Sequence, residues 1–267
     1  MVSSTELRGS ADHSSSPDPH VWFGLPSPRR WPRYPVEAAY REAGIDHEGG
    51  DSLEEFSAKL AAQPLCFSPG QGWRYGLSHD LLGRVIEVVT REPVAEVFEE
   101  RLFSRLNMAS TGFIATAEMT QRLGACWRHR PGETPELELL DHPSDRPRMA
   151  SCGGGLLSTT DDYVNFLLML RDGGTFEGER LRSSASVDEI VRDQLPAEIA
   201  LDGFDDFAGF GFGGQVERDG SDRFSWGGYA GTAFEVDRAN NRVTALHIQV
   251  LNDYSIGLWD ELAMSHP

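Results

Sequence analysis

From Pro35 onward the apolar residues recur at helical spacing for most of the chain, then switch to alternation near the end. Val36 to Ala43 predicts a short helix closed by Gly44. Ser52-Leu-Glu-Glu55 has the form of a capping box, in which hydroxyl and carboxylate satisfy each other's backbone donors. The helix it opens packs Leu53, Phe56 and Leu60 and stops before Pro64. From Leu81, the residues Leu82, Val85, Ile86 and Val89 share one helical face and predict a buried stripe. Pro93, tolerated in a first turn, opens a helix whose stripe is Val94, Val97, Phe98 and Leu102. A later helix, capped by Thr159 with Asp162 three residues on, buries Tyr163, Phe166, Leu167 and Leu170 and ends at Gly173-Gly174.

The period changes in the last sixty residues. Phe210–Val216, Arg223–Trp226, Thr232–Val236 and Val243–Val250 read as strands joined by short glycine- and asparagine-containing turns. Connections that short make an antiparallel meander. A final helix, Ser255 to Met264, presents Ile256, Trp259 and Leu262 to the sheet. The class is α+β: a mostly helical part over about 36–200 and a sheet part over about 204–265. Residues 1–35 differ, with Ser, Pro, His and Arg crowded so that neither helix nor paired strand is expected, and they read as a disordered tail. Residues 128–148, rich in Pro, Glu and Asp, read as a loop.

Composition narrows the function classes. A net charge of −18 argues against nucleic acid and anionic membrane surfaces as partners, because both require basic patches. No apolar run approaches the roughly 18 residues that span a bilayer, and no secretory leader is visible, so the expectation is a cytoplasmic protein. Three scattered cysteines, 66, 126 and 152, do not make a disulfide framework. Cys126-Trp-Arg-His129 has the shape of half a zinc site without a second ligand pair, and no metal or cofactor is expected. Among the basic residues there is a single lysine, Lys59.

The chemistry centres on Phe67-Ser-Pro-Gly-Gln-Gly-Trp-Arg-Tyr75-Gly-Leu-Ser-His-Asp-Leu-Leu-Gly83, where a Pro69-Gly70 turn delivers a tyrosine to a helix start. Three more segments follow in order: Arg101 to Phe113 with Thr111-Gly112, Cys152-Gly-Gly-Gly155 opening a helix, and Ser225-Trp226-Gly227-Gly228-Tyr229. Together they resemble the serine β-lactamase-like superfamily, nearest its class C β-lactamases and family VIII carboxylesterases, over roughly residues 36–265. The resemblance implies a β-lactamase/transpeptidase-like fold and acyl-enzyme chemistry. It makes Tyr75 the relay tyrosine and puts Trp226-Gly227-Gly228 where the β-lactamases carry Lys-Thr-Gly, with the Tyr229 N–H as one oxyanion donor. Leu77 stands where β-lactamases carry an asparagine; both departures favour a small-molecule ester or acyl ligand over a β-lactam. The resemblance also sets loops near 128–148 over the cleft, with a solvated connector as the equal alternative.

The nucleophile motif of that superfamily, S-x-x-K, is not found within residues 1–267. Phe56 precedes Lys59 by three, and Ser57 by only two, a spacing that faces apart on a helix. Arginine is no substitute base, since it stays protonated. Ser151 and Cys152 are the remaining candidate nucleophiles, with His129 and His142 as possible bases, although packed cysteine is the stronger reading. The expectation is a β-lactamase-related serine hydrolase lacking its nucleophile-bearing helix and the family's N-terminal strands, hence weak or inactive. A non-catalytic binder of an acyl or peptide-like ligand and an acyltransferase are the alternatives. With those strands missing, an exposed sheet edge is expected to promote self-association.

Overall fold

Helices dominate the first part of the chain and the main sheet closes it in this computed structural model, which describes residues 35–45, 50–130, 136–140, 149–199, 208–228 and 230–251. The expectations for the tail before Pro35, for Tyr229 and for the final helix fall outside the described residues.

Helix α1 (Pro35–Glu42) closes at Gly44, which takes the left-handed conformation, φ 60°, that lacks a Cβ penalty. Helix α2 (Leu53–Ala61) starts at the expected capping box: Ser52 Oγ accepts the Glu55 N–H, and the Glu55 carboxylate accepts the Ser52 N–H at 2.8 Å. Next come α3 (Ser78–Thr90) and α4 (Val94–Phe98). The α4 path runs on through a wide π turn, Glu99–Phe103, and a tight 3-10 turn, Ser104–Leu106. A short α5 (Ala117–Arg122) leads into β1 (Cys126–Arg130) and β2 (Glu136–Leu140). Helix α6 (Thr160–Arg171) is capped by Thr159 as expected. Asp162 does not reciprocate the cap; its carboxylate accepts the Ser110 N–H and the Thr111 hydroxyl, tying α6 to the 108–112 turn. A small hairpin, β3 (Thr175–Phe176) and β4 (Glu179–Arg180), precedes α7 (Ser184–Val191).

The main sheet is the predicted antiparallel meander, in the order β5 (Ala208–Phe210), β6 (Gln215–Glu217), β7 (Arg223–Gly227), β8 (Thr232–Asp237), β9 (Arg242–His247). Its core side carries Val216, Phe224, Phe234 and Val236, which meet Leu167 and Leu170 of α6 and Val187 and Val191 of α7 in one cluster. Each such fully buried side chain contributes roughly 1.5–3 kcal/mol. A second cluster, built from Ile45, Leu53, Phe56, Val94 and Met149, holds α2, α4 and the 149–152 segment together.

Four expectations need correction. Phe210–Val216 is two strands rather than one, because Gly211-Phe-Gly-Gly214 turns between them, with Gly213 at φ 104°. Part of the 128–148 loop is a hairpin, β1 against β2. That hairpin is extended by β10 (Val250–Leu251), which leaves the main sheet to pair with β1 in parallel, so the strand expected over Val243–Val250 ends at His247. The fourth concerns α3, whose expected buried stripe faces largely outward: Val85 is 49% exposed and Val89 76%, whereas Asp80 is 1% exposed, and of the stripe Ile86 packs against the second cluster.

Candidate active site

Tyr75 is presented by a turn that the sequence dictates. The Gln71 N–H closes onto the Ser68 carbonyl at 3.0 Å, with Pro69 at the position its ring favours and Gly70 at φ 82° where a type II turn needs it. Two residues after the tyrosine, Leu77 occupies the N-cap of α3 with no side-chain cap; its own side chain packs into the second hydrophobic cluster. Leu77 therefore anchors the helix start through packing.

The sheet meets Tyr75 at the end of β7. The Trp226 ring stacks on the Tyr75 ring, centroids 5.9 Å apart and planes 20° from parallel. Phe210 of β5 sets its edge against Trp226 at 5.3 Å, and Trp73 lies 4.9 Å from Phe210. Four rings thus form a wall across three segments, each contact worth about 0.5–1.5 kcal/mol. Trp73 and Phe210 were not singled out from the sequence; the aromatic residue two before Tyr75 was the available signal. Burial, and then the nearby Asp80 charge, push the Tyr75 phenol above its ordinary value, so at neutral pH it is a proton donor.

Beyond Trp226 the chain turns through glycines that the geometry requires. A Cβ on Gly228 collides with Thr232 Oγ1, and Gly231 sits at φ 79°. The Gly228 N–H is committed to the Thr232 carbonyl at 2.6 Å, and the Gly231 N–H to the Gly228 carbonyl at 3.0 Å. Gly227 pairs with Ala233 in the ladder. Tyr229, the expected oxyanion donor, lies outside the described residues. Opposite Thr232 stands His247, whose ring packs 5.3 Å from Tyr163. Burial lowers the His247 imidazole below its ordinary value and pushes the Tyr163 phenol up to about 12.

The glycine run has a structural explanation. Asp80, buried in the first turn of α3, accepts the Ser151 hydroxyl at 2.8 Å and the Gly153 N–H at 3.2 Å. A Cβ on Gly153 would come within 2.8 Å of Asp80 Oδ2, and one on Gly83 within 2.6 Å of Cys152 Sγ. Glycine at both positions lets α3 lie directly on the 151–153 segment. Cys152 is a packed thiol: burial first, and then the carboxylates of Asp80 and Glu87, push it up to about 12. A thiol held that high is not a nucleophile near neutral pH. Ser151 has its hydroxyl engaged with a carboxylate, and the bases considered for either residue fall at His142, outside the described residues, and His129, on β1.

Lys59 is taken up elsewhere. Its ammonium pairs with Asp51 at 2.6 Å and reaches the Gly44 carbonyl at 3.4 Å. Among the described residues no group of three His, Cys, Asp or Glu is placed to hold a metal, and no helix is long and apolar enough to cross a membrane.

A helical layer that delivers a tyrosine onto the Trp-Gly-Gly end of an antiparallel sheet defines the serine β-lactamase-like class. The Beta-lactamase family model matches residues 24–258, and the chain belongs to that family. Its curated relatives include an uncharacterized protein of Mycobacterium tuberculosis, 28% identical over 239 residues, covering 83% of this chain and 59% of that protein. Another is esterase EstB of Burkholderia gladioli, 28% identical over 228 residues, covering 73% of this chain and 54% of that protein. The chain thus spans a little over half the length of each. Among solved structures it resembles EstCE1, described as a hydrolase with promiscuous acyltransferase activity, with TM-score 0.69, 24% identity, and coverage of 89% of this chain and 67% of that one.

Proposed function

We propose that this chain is a carboxylesterase-like member of the β-lactamase family that binds a small ester or acyl ligand against Tyr75 and Trp226, and that its own residues turn such esters over weakly or not at all. One observation carries the reading: Lys59, the sole lysine, is ion-paired to Asp51, and Phe56 rather than a serine stands three residues before it. Tyr75 is therefore a donor without a nucleophile–base pair to serve. Its phenol suits a hydrogen bond to an ester or acyl oxygen, and the ring wall of Trp73, Phe210 and Trp226 suits an uncharged body beside it.

The test is thermal unfolding with and without short acyl esters, for the chain and for Trp226→Ala. A ligand-dependent rise in Tm that Trp226→Ala removes supports the reading; no rise with any ester or acyl ligand sinks it. Fusing an S-x-x-K helix upstream is expected to confer ester hydrolysis that depends on Tyr75. The esterase relative and the EstCE1 likeness make acyl transfer on the same fold the second reading, separated from hydrolysis by product analysis in the presence of an alcohol acceptor. Three free thiols, one of them exposed Cys66, support a reducing compartment such as the cytoplasm.

A further inference from the structure

Phe210, one ring of the wall, sits on a strand that the sheet alone holds poorly. Among the described residues β5 is three residues long and has one ladder neighbour, β6. A short strand with a single neighbour is a low-stability element. Phe210 points both of its backbone polar groups away from β6. Its N–H donates to Asp193 Oδ1 at 3.0 Å, and its carbonyl accepts the Gln194 N–H at 2.8 Å. Two residues on, the Phe212 N–H donates to the Ile190 carbonyl at 2.9 Å. Helix α7 ends at Val191, Arg192 turns extended at ψ 144°, and residues 190–194 run along β5 as a strap. The glycines on either side of Phe210 permit that approach. A Cβ on Gly209 would run into the Asp193 carboxylate, and one on Gly211 into the Ile190 carbonyl.

Asp193 is the centre of the strap. Its Oδ1 also accepts the Leu195 N–H at 3.0 Å, and its Oδ2 accepts Arg218 Nε at 2.7 Å. Burial acts against the charge, but the Arg218 bond and the two amide donors outweigh it and hold the carboxyl below its ordinary value. A carboxylate suits this place because one group must accept two amides and an arginine at once, and only an ionised carboxylate offers about four lone-pair sites with no donor of its own. What it fixes is the wall. Phe210 meets Trp226 edge-on at 5.3 Å and Trp73 at 4.9 Å, and Trp226 stacks on Tyr75 at 5.9 Å. We infer that Asp193 is a positioning residue of the acyl site, which sets Phe210 against Trp226 and thereby holds the Trp226 ring on Tyr75.

The consequence for ligands rests on the ester-binding reading, and the test separates the two. Near-ultraviolet circular dichroism without ligand reads the packing of the Trp73, Tyr75 and Trp226 rings. Asp193→Ala is expected to lose the same part of that signal as Phe210→Ala, with an unchanged far-ultraviolet spectrum. Thr159→Ala, which removes the α6 cap, controls for lost stability alone and is expected to keep the signal. Asp193→Asn leaves an acceptor oxygen for the Phe210 N–H and is expected to keep it too. With ethyl butyrate as the ligand, Asp193→Ala is expected to weaken binding roughly tenfold, the equivalent of one aromatic contact, and Asp193→Asn less than about threefold. A near-ultraviolet signal preserved in Asp193→Ala overturns the inference. Equal losses in the two Asp193 variants also overturn it, because they assign the effect to the Arg218 ion pair. A wild-type chain that binds no ester sinks the ester reading, and the ligand-free comparison still decides the role of Asp193. If Asp193→Ala fails to fold, hydrogen exchange at the Phe210 amide of the wild-type chain decides: slow exchange supports the strap, and exchange at the rate of an unfolded amide overturns it.

Discussion

The Asp80 carboxylate accepts the Ser151 hydroxyl at 2.8 Å across 71 residues of sequence, and this buried bond pins the tyrosine helix to the glycine run. Removing one partner leaves the other's buried polar atom one hydrogen bond short. Ser151→Ala is therefore expected to destabilise the chain by about 1–3 kcal/mol, and Asp80→Ala by more, because the Gly153 amide loses its acceptor too. Urea unfolding checks this: the midpoint falls while the slope holds. A midpoint unchanged in both variants would mean the contact is not made.

The same interface is steric as well as polar. Gly83→Ala and Gly153→Ala each put a methyl where Cys152 Sγ or Asp80 Oδ2 already stands, at 2.6 and 2.8 Å, and are expected to destabilise by about 1–3 kcal/mol. Gly154, which follows Gly153 in the chain, has nothing within 4 Å of its would-be Cβ, so Gly154→Ala is expected to leave stability within about 0.5 kcal/mol. Thermal unfolding of the three variants side by side separates the positions.

Thiol chemistry reports on the site independently. Cys66 is exposed, Cys126 is buried, and Cys152 is half-buried with its thiol pushed up to about 12. Ellman's reagent at pH 8 is expected to label one cysteine quickly and the other two only on denaturation, with Cys66→Ser abolishing the fast phase. Fast labelling at Cys152 would restore it as a nucleophile candidate.

Stability should also respond to pH near neutrality. Burial lowers the His247 imidazole, so the folded chain binds fewer protons than the unfolded one as pH falls through the ordinary histidine range near ~6.5. The contribution is full above that value and is lost progressively toward the lower folded-state value. Tyr163, its ring neighbour, is protonated throughout this window and adds no slope. Urea midpoints from pH 8 to 5 are expected to fall, and His247→Gln to flatten the trend.

Much of this architecture is legible in local chemistry. The Ser52–Glu55 capping box, the Thr159 cap and the Pro69-Gly70 turn are short-range devices whose partners sit within three residues, so sequence spacing reveals them. The orientation of α3 is different in kind. A stripe at 3.6-residue spacing tells which side is apolar, not which side the rest of the chain covers. Here the polar side is held inward by Ser151 and Gly153, far along the chain. The β1–β10 pairing was hidden for the same reason, since of its partners Trp127 lies midway along the helical part and Val250 near the end of the sheet part. At the site, Tyr75 and Trp226 were both identifiable from their motifs. That Phe210 and Trp73 complete the ring wall depends on β5 lying two strands from β7, a fact of sheet order rather than of local pattern.

The proposal that Tyr75 faces a bound ester without a nucleophile–base pair from this chain is tested most directly by hydrolysis of a short-chain p-nitrophenyl ester by the purified chain, beside its Tyr75→Phe variant. The predicted result is release of nitrophenol at the same near-background rate from both proteins. Turnover well above background that drops in Tyr75→Phe would contradict it, and would mean that a residue of this chain attacks the ester with the phenol's help.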